Sequence, residues 1–335
     1  MSDWLETLPA SLSLDTASLR PASSDASFRR YYRINSQGET LIIMDAPAPH
    51  ENCAQFDDVT TRLADAGVTV PQVIAKDLEQ GFMLLTDLGV QTYYDRIQQQ
   101  PSDAILQTLY REALEMLVKM QMADQQGLPA FDRSRLIEEL QLFPDWYVNR
   151  HYETTLSETE SAKLQAIFET LADSMAHEPS VLVHRDFHSP NLMVCEQGSG
   201  LKNPGVLDYQ DAVSGAISYD IASLVFDART TWEETQQLDW AIRYWERARE
   251  AGLPIPADFA QFHQNYEWSG LQRNLRILGV FARLNYRDQK SQYLAHIPRV
   301  VQYVRQVAGR YQVFVPLLRL LDRLDGIEPQ AGYTF

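Results

Sequence analysis

The sequence predicts an α+β protein in two parts: a small β-rich N-terminal lobe over residues 1–88 and a large helical C-terminal lobe over residues 89–335. Three observations carry this reading. Short aromatic and β-branched runs divided by turn residues fill the first ninety positions. From about residue 102 onward, apolar residues recur at three- and four-residue spacing. A single β interruption, at about 181–207, breaks the helical part.

The elements follow in order. Phe28-Arg-Arg-Tyr-Tyr-Arg-Ile34 and Leu41-Ile-Ile-Met44 read as a hairpin about the turn Asn35-Ser-Gln-Gly38, entered through a loop at Ser23-Ser-Asp-Ala-Ser27. A helix is expected from about Glu51 to Ala66, stopped by Gly67. Val73-Ile-Ala75 and Phe82-Met-Leu-Leu85 form two further strands around the turn near Glu79-Gln-Gly81, and Asp87-Leu-Gly89 is the candidate linker. Helices follow near 102–124, 135–150 and 157–176. Val181-Leu-Val183, Leu192-Met-Val194 and Gly205-Val-Leu207 are strands, and the chain returns to helix from about Ile217 to Leu324, punctuated by Pro254-Ile-Pro256.

Composition narrows the function classes. The chain has 335 residues, 45% apolar and 22% charged, an ordinary globular balance. Its net charge of −16 repels polyphosphate backbones, so no nucleic-acid partner is expected, while cationic ligands are favoured at long range. No apolar run approaches the roughly 20 residues that span a bilayer, so no membrane partner is expected. Two cysteines and an N-terminus, Met1-Ser-Asp-Trp4, without a basic or apolar leader lead us to expect a cytoplasmic protein, acting as a monomer on a small molecule.

The chemistry concentrates in His184-Arg-Asp-Phe-His-Ser-Pro-Asn191. Phosphoryl transfer needs a carboxylate beside the attacking hydroxyl and ligands that hold magnesium on the phosphates. Asp186 and Asn191 stand five apart in a loop between strands, the spacing of the Asp and Asn in the kinase catalytic loop. Val206-Leu-Asp208 delivers a second carboxylate at a strand end, and a β-hairpin between the two would return Asp208 alongside Asn191. Two oxygen ligands on adjacent strands suit Mg²⁺. Asp220, in Tyr219-Asp-Ile-Ala222, begins a helix.

His184-x-Asp-x-His-x-x-Asn191, Leu207-Asp-Tyr209 and Tyr219-Asp-Ile-Ala222, in this order, resemble the aminoglycoside phosphotransferase and choline kinase superfamily over most of the chain. The resemblance implies a bilobal protein-kinase-like fold that uses ATP and Mg²⁺, with Asp186 as catalytic base, Asn191 and Asp208 as metal ligands, and Asp220 supporting the catalytic loop. Phe28-Arg-Arg-Tyr-Tyr-Arg33, Ile43-Met-Asp-Ala-Pro47, Gly81-Phe-Met-Leu-Leu-Thr-Asp-Leu-Gly89 and Leu142-Phe-Pro-Asp-Trp-Tyr147 are similar to one group within it, the bacterial N-acetylmuramate/N-acetylglucosamine anomeric kinases of cell-wall recycling. That likeness implies an amino sugar phosphorylated at its C1 hydroxyl.

The sequence departs from the kinase pattern at two points. Met44 or Asp45 stands where the third-strand lysine is expected, and the phosphate loop has no glycine. Arg30 and Arg33 follow that loop and alternate to opposite faces, and Arg30 is the favoured cation. Ser24, Ser27, Arg30, Met44, Thr86 and Leu88 are therefore the expected nucleotide-binding positions, with adenine on the backbone near Leu85-Thr-Asp-Leu88. Trp146, Tyr147, Tyr209, Gln210 and Asp211 are the expected substrate-binding positions, although aromatic residues at helical spacing also serve as core. Three rival readings bear on function: a zinc site of His184, Asp186 and His188; the same transfer to an aminoglycoside or choline-like cation; and a non-catalytic ATP-binding regulator, suggested by the missing lysine. A protein kinase is disfavoured because nothing resembles an activation loop ending in Ala-Pro-Glu.

Overall fold

The structure is a computed structural model, and it describes residues 1–23, 29–47, 51–195 and 200–327. Along the chain run α1 (Ser2–Thr7), β1 (Leu14–Ser23), β2 (Arg30–Ser36), β3 (Glu39–Asp45), α2 (Cys53–Asp65), β4 (Val73–Asp77), β5 (Phe82–Thr86), α3 (Tyr93–Gln98) and α4 (Asp103–Gln121). Then come α5 (Arg133–Leu140), a π-helix (Phe143–His151), α6 (Glu158–Ala176), β6 (Ser180–Val183), β7 (Leu192–Met193), β8 (Gly205–Val206) and β9 (Val213–Ala216). The helices α7 (Tyr219–Val225), α8 (Glu234–Glu250), α9 (Phe259–Tyr286), α10 (Ile297–Ala308) and α11 (Val315–Leu324) complete it.

Two compact units result, Met1–Asp124 with Ser189–Ala212, and Gln125–His188 with Val213–Phe335. Within the first unit, the hairpin β7–β8 is tied to elements earlier in the chain. The Val194 amide donates to the Gln91 carbonyl, and the Val206 amide to the Thr69 carbonyl, at 2.8 Å each.

The first unit is built on an antiparallel sheet in the order β1-β2-β3-β5-β4. The expected hairpin forms in the register Ile34↔Leu41, turning at Gln37-Gly38. Ile34, Leu41, Ile43 and Leu84 close a core with Trp4 and Leu5 of α1. Helix α2 starts where the Asn52 side chain accepts from the Gln55 amide at 3.1 Å. β1 escaped the sequence reading because Asp15-Thr-Ala-Ser-Leu-Arg-Pro21 lacks a strong apolar alternation. It lies at the sheet edge, where Pro21 is tolerated.

In the second unit, β6 and β9 pair antiparallel from Ser180↔Ala216 to Val183↔Val213, and α5, α6 and α7 pack their buried faces around that ribbon. Val213-Ser-Gly-Ala216 carries too little pattern to be read as a strand without its partner. The single helix expected over 135–150 is instead α5 followed by the π-helix, with Pro144 in the first π turn, where a missing N–H is harmless. α9 is the 28-residue central helix of this unit, packed against the π-helix, α6, α7 and α10.

Candidate active site

The site residues divide between the two units. In the first, Leu192 pairs with Val206, and the Leu207 amide donates to the Asn191 carbonyl at 2.9 Å. This short hairpin brings Asn191 and Asp208 together, with the Asn191 amide nitrogen 3.4 Å from an Asp208 carboxylate oxygen. Asp208 holds a left-handed backbone, φ 62°, a conformation that non-glycine residues adopt only when their surroundings enforce it. Gln210 donates to the other Asp208 oxygen at 3.0 Å, and an Arg29 guanidinium nitrogen lies 3.7 Å from it. A carboxylate and a carboxamide are hard oxygen donors, and two of them suit Mg²⁺, which keeps waters and takes phosphate oxygens for the rest. Among the described residues, no group of three or more His, Cys, Asp or Glu gathers to hold a metal. His184, Asp186 and His188 thus do not form the donor set of the zinc reading.

In the second unit, β6 runs into His184-Arg-Asp186. The buried Asp220 at the start of α7 accepts the His184 amide at 2.7 Å and the Arg185 amide at 3.0 Å. These bonds hold Arg185 in a left-handed conformation, φ 75°. Burial raises the Asp220 carboxyl to about 6, against the lowering effect of His184 and the two amides. The Arg185 side chain donates to Glu139 of α5, whose other oxygen meets Arg276 Nε at 3.1 Å. The Asp186 side chain is 39% exposed, with Arg273 3.7 Å away. Burial opposes ionisation there, but the cations Arg276, Arg273 and Arg185 outweigh it and hold the carboxyl well below the usual carboxylate range. His188 is buried and held to the neutral form.

The expected nucleotide positions are placed unevenly. Ser24 and Ser27 lie outside the described residues. Arg30 is 62% exposed at its side chain and pairs with Asp45 at 2.6 Å. Arg29, which was not singled out in the sequence, is 7% exposed at its side chain and lies between Glu51 at 3.4 Å and Asp208. Strand parity could have found it, since Arg29 and Arg33 share a face that Arg30 does not. Arg33 is committed to Asp87, which also accepts from Thr40 at 2.7 Å, and to the Gly89 carbonyl at 2.8 Å. Despite burial, those partners lower the Asp87 carboxyl. Met44 and Leu88 are buried, and Thr86 accepts from the Gln72 amide at 2.8 Å.

Of the expected substrate positions, Tyr209 is fully buried, stacked on Phe56 and bonded to Thr60 at 2.8 Å. Gln210 is buried beside Asp208, and Asp211 is exposed. Tyr147 is buried, stacked on Phe143 and His151, whereas Trp146 is half-buried. Arg273 and Arg276 went unrecognised as site residues because nothing local links them to a loop so distant in sequence.

The loop bearing Asp186 and the hairpin that joins Asn191 to Asp208 carry, in order, the motifs of a kinase-like phosphotransferase. The chain belongs to the phosphotransferase enzyme family that includes the aminoglycoside phosphotransferases, whose pattern matches residues 18–257. It is 43% identical over 309 residues to an N-acetylmuramate/N-acetylglucosamine kinase of Pseudomonas aeruginosa, covering 92% of this chain and 89% of that protein. A protein of the same name from Neisseria meningitidis is 41% identical over 338 residues, 100% of this chain and 98% of the relative. Among solved structures, a choline/ethanolamine kinase family protein from Mesorhizobium loti superposes with a TM-score of 0.62 at 15% identity, over 96% and 97% of the two chains. A spectinomycin phosphotransferase in complex with ADP and spectinomycin gives 0.61 at 12% identity, over 91% and 98%. Those structures share the protein-kinase-like α+β fold with this chain.

Proposed function

We propose that the protein transfers the γ-phosphoryl group of ATP to the anomeric (C1) hydroxyl of N-acetylmuramate and/or N-acetylglucosamine, as a cytoplasmic, monomeric enzyme of cell-wall recycling. The observation that carries this reading is the Asp186 loop, a half-buried carboxylate kept ionised by the buried Arg273 and by Arg276 and Arg185, in a chain more than 40% identical to kinases named for these two sugars. Residues 1–88 are read as the nucleotide-binding part and residues 89–335 as the catalytic and substrate-binding part.

Asp186 accepts a hydrogen bond from the sugar hydroxyl and aims its oxygen at the γ-phosphorus. The new O–P bond forms as the bond to the β,γ-bridging oxygen breaks; ADP leaves, and the hydroxyl proton passes to Asp186 late and then to solvent. An anomeric hydroxyl suits so weak a base, because the ring oxygen makes it more acidic than an ordinary alcohol. Asn191 and Asp208 are the residues that would hold Mg²⁺, which supplies charge neutralisation on the phosphates. Arg29, beside Asp208, is read as contributing the cation that the third strand lacks, alongside the expected Arg30. Trp146, half-buried, is a better sugar-stacking candidate than the enclosed Tyr147.

Incubation with ATP, Mg²⁺ and either sugar, followed by phosphorus-31 NMR, tests the reading. A sugar 1-phosphate resonance is expected, and Asp186→Ala should lower turnover by about 10²–10⁴-fold while ATP binding survives. Intact ATP with both sugars, and turnover of an aminoglycoside or choline instead, would overturn the amino-sugar assignment.

A further inference from the structure

We propose that Arg273 is a positioning residue for the phosphoryl transfer: its buried guanidinium fixes the Asp186 carboxylate and keeps it ready to accept a hydrogen bond from the attacking hydroxyl. The inference rests on the assignment of Asp186 as the base.

Arg273 sits in the middle of α9, 2% exposed at its side chain, with Nη2 3.7 Å from Asp186 and 3.3 Å from His188 Nδ1. Arginine only donates, so this ring nitrogen of His188 is the acceptor and the imidazole is neutral. The lowering of His188 by burial agrees, although Asp227 and Asp186 act in the opposite sense. Arg273, not a protonated histidine, is therefore the cation at 3.7 Å from Asp186.

The remaining Arg273 nitrogens, Nε and Nη1, are buried without a hydrogen-bond partner among the described residues. Burying a guanidinium with idle donors is unfavourable for stability, and apolar replacements of buried ion pairs are often neutral or better. A cation retained on those terms is explained by what its field does to a neighbour. Its neighbour is Asp186, the half-buried carboxylate of the loop.

The same helix braces the rest of the loop. Arg276, one turn further along α9, holds Glu139, and Glu139 holds Arg185. Asp220 of α7 takes the His184 and Arg185 amides. The negative groups Glu139 and Asp220 are thus each committed to loop partners, while Arg273 is the cation that α9 sets directly on Asp186. α9 is seated without play: a Cβ on Gly270 would come within 2.5 Å of Phe226, and one on Gly279 within 2.3 Å of the Leu142 backbone.

The test compares pH profiles of kcat/KM for ATP and N-acetylglucosamine in the wild type, Arg273→Gln and Arg273→Lys. Loss of the cation is expected to move the acidic limb up by about one unit or more, the size of effect an adjacent opposite charge has on a carboxylate. It should lower kcat about ten- to a hundredfold and leave the KM for ATP unchanged, with Arg273→Lys recovering part of both. A folded Arg273→Gln enzyme with wild-type kcat and an unmoved profile overturns the proposal. Should that variant not fold, carbon-13 NMR of the wild-type aspartates decides. The Asp186 signal, assigned by its loss in Asp186→Asn, is expected to show no titration between about pH 4 and 8, and a titration in that window overturns the proposal. Full activity in Asp186→Asn would instead remove the base assignment itself, so the two failures are distinguishable.

Discussion

Asp220 and Glu178 are both buried carboxylates of the helical unit, yet they serve different ends. Asp220 ties two amides of the catalytic loop, and Arg185 keeps its left-handed backbone only while those bonds persist. Asp220→Ala is expected to cost about 3 kcal/mol in urea unfolding, from two charge-assisted bonds, and to reduce kcat because Asp186 loses its support. Glu178 accepts the Ser218 hydroxyl at 2.8 Å and the Ser218 amide at 3.3 Å, and burial pushes its carboxyl up to about 7. A carboxyl raised in the folded state contributes stability below its ordinary value of 4.5, lost as pH rises through about 7. Between those pH values the wild type should therefore lose up to about 3 kcal/mol that Glu178→Gln retains. Thermal melts of both proteins from pH 4.5 to 8 check this, and parallel curves would refute it.

At the scale of elements, the π-helix was the part the sequence hid, whereas the helical character of α9 was legible. Apolar spacing over 135–150 resembles one helix, and a π turn differs from an α turn by a single residue, so periodicity cannot separate them. The close approach of α9 to Leu142 depends on Gly279, where any Cβ meets a backbone carbonyl that cannot move away cheaply. Gly279→Ala is thus expected to destabilise by about 1–3 kcal/mol, although alanine favours helix over glycine by about 1 kcal/mol. Urea titration measures it, and a stabilised variant would mean that the π-helix yields. By contrast, the β2–β3 hairpin was legible, because Tyr31 to Ile34 and Leu41 to Met44 are aromatic, β-branched and apolar runs around a Gly turn. β1 and β9, made of small and polar residues, gain their strand character from the partner they pair with.

For the molecule as a whole, the net charge of −16 and the arginines around Asp186 point in opposite directions, and the local charges decide recognition at contact distance. ATP with Mg²⁺ at about a hundred times its Kd should stabilise the fold by about 2.7 kcal/mol, raising Tm by several degrees. Chelation with EDTA, or Asp208→Asn, should remove most of that shift. Equal shifts with and without the metal would count against the Asn191–Asp208 pair as its ligands.

By itself the sequence determined the fold class, the family and the loop that carries Asp186 and Asn191, because strand, turn and motif are local properties written in consecutive residues. It also placed Asp208 beside Asn191, since a short hairpin leaves the returning strand little choice of register. Only the tertiary structure decided that Arg29, not Arg30, meets Asp208, and that Arg273 reaches His188 across 85 residues of sequence. Those contacts come from close packing between distant segments, which fixes side-chain positions that no local periodicity encodes.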